Sequence, residues 1–170
     1  MSTHPRAGFR QKSALSLPAN CQQPQFANPA MTSIDQDIIL PILKNFKTIA
    51  VIGLSPKPDR ASHRVAAYMQ KVGYRIIPIR PGSGKILGET CYASLADLPE
   101  GLKVDLVDVF RRAEETPPIA HEAIAAKARG FWLQSGIIND EALALTTKAG
   151  LLSVQDRCLM VEHRRLAHML

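Results

Sequence analysis

The chain alternates short β-branched runs with stretches of helical period, and that order leaves few folds open to it. Thr48–Ile52 and Arg75–Ile79 are too short for helices and are closed by Gly53 and by Pro81-Gly82-Ser83-Gly84, so both are predicted to be strands. Between them Val65, Ala66, Met69 and Val72 fall on one face of a helix starting near Ser62, with Gly73 where a helix C-terminal glycine belongs. Residues 106–110 with Val104 predict a third core strand, 131–133 a fourth and 151–154 a fifth. Thr116 before Pro117 predicts the cap of a helix carrying Ile119, Ala120, Ala123 and Ile124 and stopped by Gly130; Asn139 caps another, closed by Gly150. Ser33 and Gln36 have capping-box spacing ahead of Ile38, Ile39, Ile42, Leu43 and Phe46, so a short helix should precede the first strand, with Pro41 tolerable near its first turn. Residues 89–92 should be extended and 94–98 a helical turn. Strands alternating with helices imply an α/β fold: a single Rossmann-like domain with a mostly parallel five- or six-stranded sheet and helices on both faces.

Composition sets the limits of that domain. At 170 residues and 46% hydrophobic, the chain can bury one core and has no room for a second domain. Residues 1–30 hold Pro5, Pro18, Pro24 and Pro29 among Ser, Gln and Asn without apolar period, so they are expected to be a disordered tail, with the domain at 31–170. We read the tail as a misassigned start upstream of Met31 in preference to a targeting segment, because it shows no amphipathic stripe. Arg6, Arg10 and Lys12 lie in that acid-free stretch and supply about half of the formal charge of +6. The remainder is scattered, which argues against a nucleic-acid partner. Cys21, Cys91 and Cys158 are odd in number and widely spaced, which suggests neither a disulfide framework nor a metal site and fits a reducing cytoplasm. The absence of any long apolar run predicts a soluble protein with no membrane partner.

In doubly wound sheets ligands bind beyond the carboxyl ends of the strands, which directs attention to four segments. The first joins strand one to its helix: Gly53, Leu54, Ser55, Lys57, Arg60, Ser62, His63 and Arg64. Free backbone N–H groups at that helix start, two hydroxyls and three cations would suit a pyrophosphate, although the turn has neither the three glycines of a dinucleotide fingerprint nor a P-loop. The second is Pro78, Ile79, Arg80 and Pro81, closing strand two. An Arg80 there disfavours NAD and favours a ribose-phosphorylated cofactor, NADP or coenzyme A. The third is Phe110, Arg111 and Arg112; the fourth is Gln134, Ser135 and Gly136.

Taken together, AVIGLSPKPDRASHRVAAYM from Ala50, GYRIIPIRPG from Gly73, ILGETCYASLADLP from Ile86, VDVFRR from Val107, FWLQSGIIN from Phe131 and DRCLMVEHRRL from Asp156 resemble the small CoA-binding proteins of the CoA-binding-domain-2 family. That family is related to the CoA-binding domain of the succinyl-CoA synthetase alpha subunit, and the resemblance covers about 46–166. It implies coenzyme A as cofactor, with Gly53, Ser55, Ser62 and Arg64 at the phosphates, Arg80 and Phe110 lining the nucleotide crevice, and Gln134 and Gly136 beside the cofactor. The synthetase relatives usually place a basic residue after the proline of the second-strand loop. Gly82 follows Pro81 here, so Arg80 or Lys85 would take that contact. The ligase needs a second domain and a partner subunit, so its activity is not implied.

Catalytic candidates are few. His63 is read as a phosphate contact or first-turn packing, and His163 beside Glu162 as solvated or ion-paired. Cys158, after the fifth strand, could meet the CoA thiol in a mixed disulfide with Arg157 lowering its pKa, against a structural reading of the same residue. Asp105 and Asp108 flank a core strand without metal-ligand spacing, so no metal is expected. The leading expectation is a protein that binds CoA or an acyl-CoA without chemistry of its own. The alternatives are an NADP-dependent oxidoreductase and an interaction module that has lost its ligand; the sequence does not decide between monomer and homodimer.

Overall fold

Alternate residues of the strands feed two separate cores, as a sheet covered on both faces requires. In the computed structural model, which describes residues 32–82 and 84–170, the chain runs α1 (Leu40–Asn45), β1 (Thr48–Ile52), α2 (Ala61–Lys71), β2 (Arg75–Ile79), β3 (Lys85–Ile86), β4 (Glu89–Thr90), β5 (Leu106–Val109), α3 (Thr116–Ala125), β6 (Gly130–Leu133), α4 (Asp140–Lys148), β7 (Leu152–Val154) and α5 (Leu159–Leu166). The tail expected at 1–30 lies outside the described residues. Ile49, Val51, Leu106, Trp132 and Val154 pack on one face against α1, α2 and α5; Ala50, Ile52, Val107, Val109, Phe131 and Leu133 pack on the other against α3 and α4.

The five main strands are all parallel, in the order β2-β1-β5-β6-β7. After β1 the chain winds outward to β2, then crosses back to place β5 on the other side of β1. Winding therefore reverses between β1 and β5, the position where such sheets open a crevice at their carboxyl ends. The β3–β4 hairpin fills part of the connection, and the chain then returns to the edge of β2. There the Tyr92 N–H donates to the Pro78 carbonyl at 3.0 Å and the Arg80 N–H to the Tyr92 carbonyl at 2.8 Å, forming a single parallel bridge to Ile79. The sheet thus has five full strands and a one-residue stub of a sixth.

At the opposite end, Asp105 ties the strand starts together. Its Oδ2 accepts the N–H groups of Lys47 and Thr48 at 3.0 Å, and its Oδ1 pairs with Arg129 at 3.2 Å. Burial opposes the charge, but these hydrogen bonds and the guanidinium outweigh it and hold the carboxyl below its usual range.

Three local expectations need correction. The first helix already includes Ser33, and the Gln36 N–H goes to the Thr32 carbonyl, so the expected capping box does not form. A π-turn over Asp35–Ile39 precedes α1 and leaves Pro41 in its first turn, where a missing N–H is harmless. Thr116 is the first residue of α3, one place beyond the cap, with its hydroxyl donating to the Ala113 carbonyl at 2.7 Å. Gly130 does not stop α3: it opens β6, and Lys127, at φ 57°, makes the left-handed turn after the helix. Gly130 is small because a Cβ would stand 2.6 Å from the Phe46 ring and 2.9 Å from Leu106.

Candidate functional site

The carboxyl ends of β1 and β5 come together at Gly53. Its φ is +82°, its N–H donates to the Ile79 carbonyl at 2.8 Å, and an added Cβ would lie 2.6 Å from the Phe110 carbonyl oxygen. Beyond it the turn is held by its own polar groups. Ser62 Oγ accepts the Ser55 N–H at 3.0 Å, Ser55 Oγ accepts the Lys57 N–H at 3.2 Å, and His63 Nδ1 lies 3.0 Å from the Ser55 carbonyl. The Arg64 guanidinium donates to the Asp59 carbonyl, curling the loop back onto the helix. Helix α2 has no side-chain cap, so its first-turn N–H groups remain open to an anion.

Three hollows that share lining residues lie at the carboxyl end of the sheet. One, of about 740 Å³, lies over the Gly53–Ser62 turn between Arg60, Arg80 and Phe110. A second, of about 530 Å³, has an apolar floor of Ile52, Ile79 and Ile119 beneath Arg80 and Glu122. The third, of about 670 Å³, runs from Phe110 past Arg112 and Glu115 to Gly136 and Ile137. These volumes fall within the ordinary range of small-molecule sites. Arg111 lines all three, is half-buried, and has no hydrogen bond or ion pair with protein among the described residues. Its neighbour Arg112 points outward and is paired with Glu114 at 3.6 Å and Glu115 at 3.9 Å.

Most predicted residues meet at this crevice. Gly53, Leu54, Ser55, Lys57, Arg60, Ser62, Arg80, Pro81, Phe110 and Arg111 line the hollow over the turn, Ile79 the floor of the second, and Arg112 and Gly136 the third. His63 and Arg64 brace the turn from behind. Pro78 is buried in β2. Gln134 stands apart: it is 4% exposed, and its Nε2 donates at 2.7 Å to Oδ1 of Asp108, itself 1% exposed. Cys158 is half-buried in a different cavity with Ile34, Arg157 and Val161. His163, expected to be solvated or ion-paired, is instead buried, hydrogen-bonded to the Tyr68 hydroxyl at 3.0 Å and edge-on to the Tyr68 and Tyr74 rings. Burial and then Lys47 lower its pKa.

Sequence reasoning missed two contributions. Ile119 and Glu122 come from α3, and Glu114 and Glu115 from the turn before it, where the sequence carries no ligand motif. Asp108, expected to flank its strand, instead lies inside β5, where an acid within an apolar run is a local conflict that calls for a partner. Among the described residues no three His, Cys, Asp or Glu side chains gather as a metal group, and no helix is long and apolar enough to cross a membrane.

These features define an open parallel α/β domain of Rossmann type with a cationic crevice at its topological switch point. The chain belongs to the CoA binding domain family, whose sequence profile matches residues 47–164. It is 40% identical over 136 residues to protein YneT of Bacillus subtilis, covering 80% of this chain and 96% of that one. A solved structure from Thermus thermophilus, cell-free ID.343, is 40% identical with a TM-score of 0.73, covering 80% of this chain and 99% of that chain. An ADP-forming acetate–CoA ligase II of Archaeoglobus fulgidus is 26% identical over 110 residues, which span 62% of this chain and 16% of the ligase.

Proposed function

We propose that the protein binds coenzyme A, or an acyl-CoA, in the crevice between the ends of β1 and β5. The observation that carries this reading is Arg111, a half-buried guanidinium that lines all three hollows and has no protein partner among the described residues. Placing such a group beside an uncapped helix start is favourable when an anion completes the site. The diphosphate would lie over Gly53, Ser55 and Ser62, with Lys57 and Arg60 adding charge. The nucleoside would enter the hollow floored by Ile52, Ile79 and Ile119, with Arg80 or Lys85 toward the ribose phosphate. The pantetheine arm would follow Phe110 to Gly136.

Binding without catalysis is the reading these residues support. His63, the imidazole of the turn, is committed to the Ser55 carbonyl, so its role is to shape the loop. Cys158 lies in a cavity separate from the crevice, which favours its structural reading over a mixed disulfide with the CoA thiol. We place the protein in the cytoplasm as a soluble carrier or sensor of CoA. Native mass spectrometry of the purified protein tests the assignment: a released ligand with the mass of CoA or an acyl-CoA supports it, whereas a nicotinamide dinucleotide overturns it.

A further inference from the structure

Asp108 is a carboxyl group without a role in the binding site just described. It sits in β5, where Leu106 faces one core and Val107 and Val109 the other, so it points into the face covered by α1, α2 and α5. Val51 and Trp132 are its register partners. Gly53 lies one strand over from Asp108 and two residues further along, about 8 Å away at ordinary strand rise and spacing. On the other side, the Gln134 amide that donates to Asp108 begins the loop to Gly136, and the Gln134 carbonyl accepts the Ile137 N–H at 2.9 Å. The pair thus lies beneath the crevice and joins the strands that carry Phe110–Arg111 and Gly136.

We infer that Asp108 makes ligand binding proton-linked: the crevice holds anionic phosphate best when Asp108 is uncharged, and binding draws a proton from water onto that carboxyl. A diphosphate above a buried carboxylate is a like-charge pair in a weakly screened region, and protonation of the acid relieves it. Burial already pushes the Asp108 carboxyl up to about 7, against hydrogen bonds from Gln134 and from the Val109 N–H, so the free protein is poised to change charge near neutrality. The titratable and charged groups on the covering elements are otherwise engaged or exposed. On α2, His63 is bonded to the Ser55 carbonyl and Arg64 to that of Asp59; on α5, Glu162 is paired with Arg157 and Arg165, His163 is bonded to Tyr68, and Arg164 lies over the Tyr68 ring. Lys44 of α1 and Lys71 of α2 are exposed.

This inference rests on the CoA reading, and calorimetric titration separates the two. The probe is 3′-dephospho-CoA, which lacks the monoester phosphate that titrates in the same range, at pH 6, 7 and 8 in two buffers of different ionisation enthalpy. The expected result is affinity falling roughly fivefold from pH 6 to 8, as one pKa unit of coupling gives across that interval, with net proton uptake at pH 7. Asp108→Asn should flatten that slope and bind at pH 8 about as the unaltered protein does at pH 6. Gln134→Leu, which removes a bond to the charged form, should move the fall to higher pH, and it keeps the test decisive if Asp108→Asn fails to fold. Binding with equal slopes in all three proteins would overturn the inference and leave the CoA reading standing. No binding of either CoA or the probe at any pH would overturn both.

Discussion

A side chain on Gly53 would collide with the backbone of Phe110: a Cβ built there stands 2.6 Å from the Phe110 carbonyl oxygen, at a φ of +82°. The turn after β1 therefore contains one glycine for two reasons, conformation and the close approach of β5. Gly53→Ala should destabilise the protein by roughly 2–4 kcal/mol, combining left-handed strain with overpacking. Urea denaturation followed through Trp132, which is fully buried, reads this directly. A loss under about 0.5 kcal/mol would mean that the β1 and β5 ends are not held this close.

Arg111 and Arg112 are adjacent but should behave differently. Arg111→Gln should weaken CoA about 10- to 100-fold, as expected for losing charge-assisted hydrogen bonds to phosphate. Arg112→Gln should change affinity by less than about threefold, because its guanidinium is exposed and already paired with Glu114 and Glu115. Equal losses in direct titrations would contradict the assignment of Arg111 as the central cation.

Ser62 acts through Ser55. Ser62 is 6% exposed and its Oγ accepts the Ser55 N–H, so Ser62→Ala leaves a half-buried donor without its partner. Stability should fall by about 1–2 kcal/mol, and CoA affinity should fall because the turn loosens. Unchanged affinity alongside the stability loss would remove this turn from the ligand site.

Two buried groups give stability opposite pH slopes. The folded state lowers the His163 pKa, so the unfolded chain takes up its proton first; stability from His163 is present above about 6.5 and is lost as pH falls below it. The folded state raises the Asp108 carboxyl from 3.8 to about 7, so the folded state holds the extra proton and stability falls as pH rises through that interval. Asp108→Asn should therefore gain stability at pH 8 relative to the unaltered protein, by on the order of a few kcal/mol, and His163→Asn should flatten the acid slope. Urea midpoints at pH 5, 6, 7 and 8 test both signs.

Sequence legibility followed the range of the forces involved. β1 and β2 were readable because their β-branched runs end at Gly53 and at the Pro81-Gly82 turn, and the Asn139 cap because it is a contact between neighbours: its Oδ1 accepts the Ala142 N–H at 2.9 Å. Gly130 misled because a glycine after an apolar helix looks like a stop, whereas its cause is Phe46, a residue far away in sequence. The crevice was legible as segments but not as a site. Which arginine turns inward depends on Glu114 and Glu115 engaging Arg112, and Gln134 is drawn beneath the surface by Asp108. Local pattern carries no record of such pairings.

Titration of CoA and NADPH separately into the purified protein, with Arg111→Gln alongside, tests the central claim most directly. The account predicts one CoA site per chain, at least tenfold weaker in Arg111→Gln, and NADPH binding far more weakly than CoA. Saturable NADPH binding without CoA binding, or CoA binding indifferent to Arg111, would contradict it.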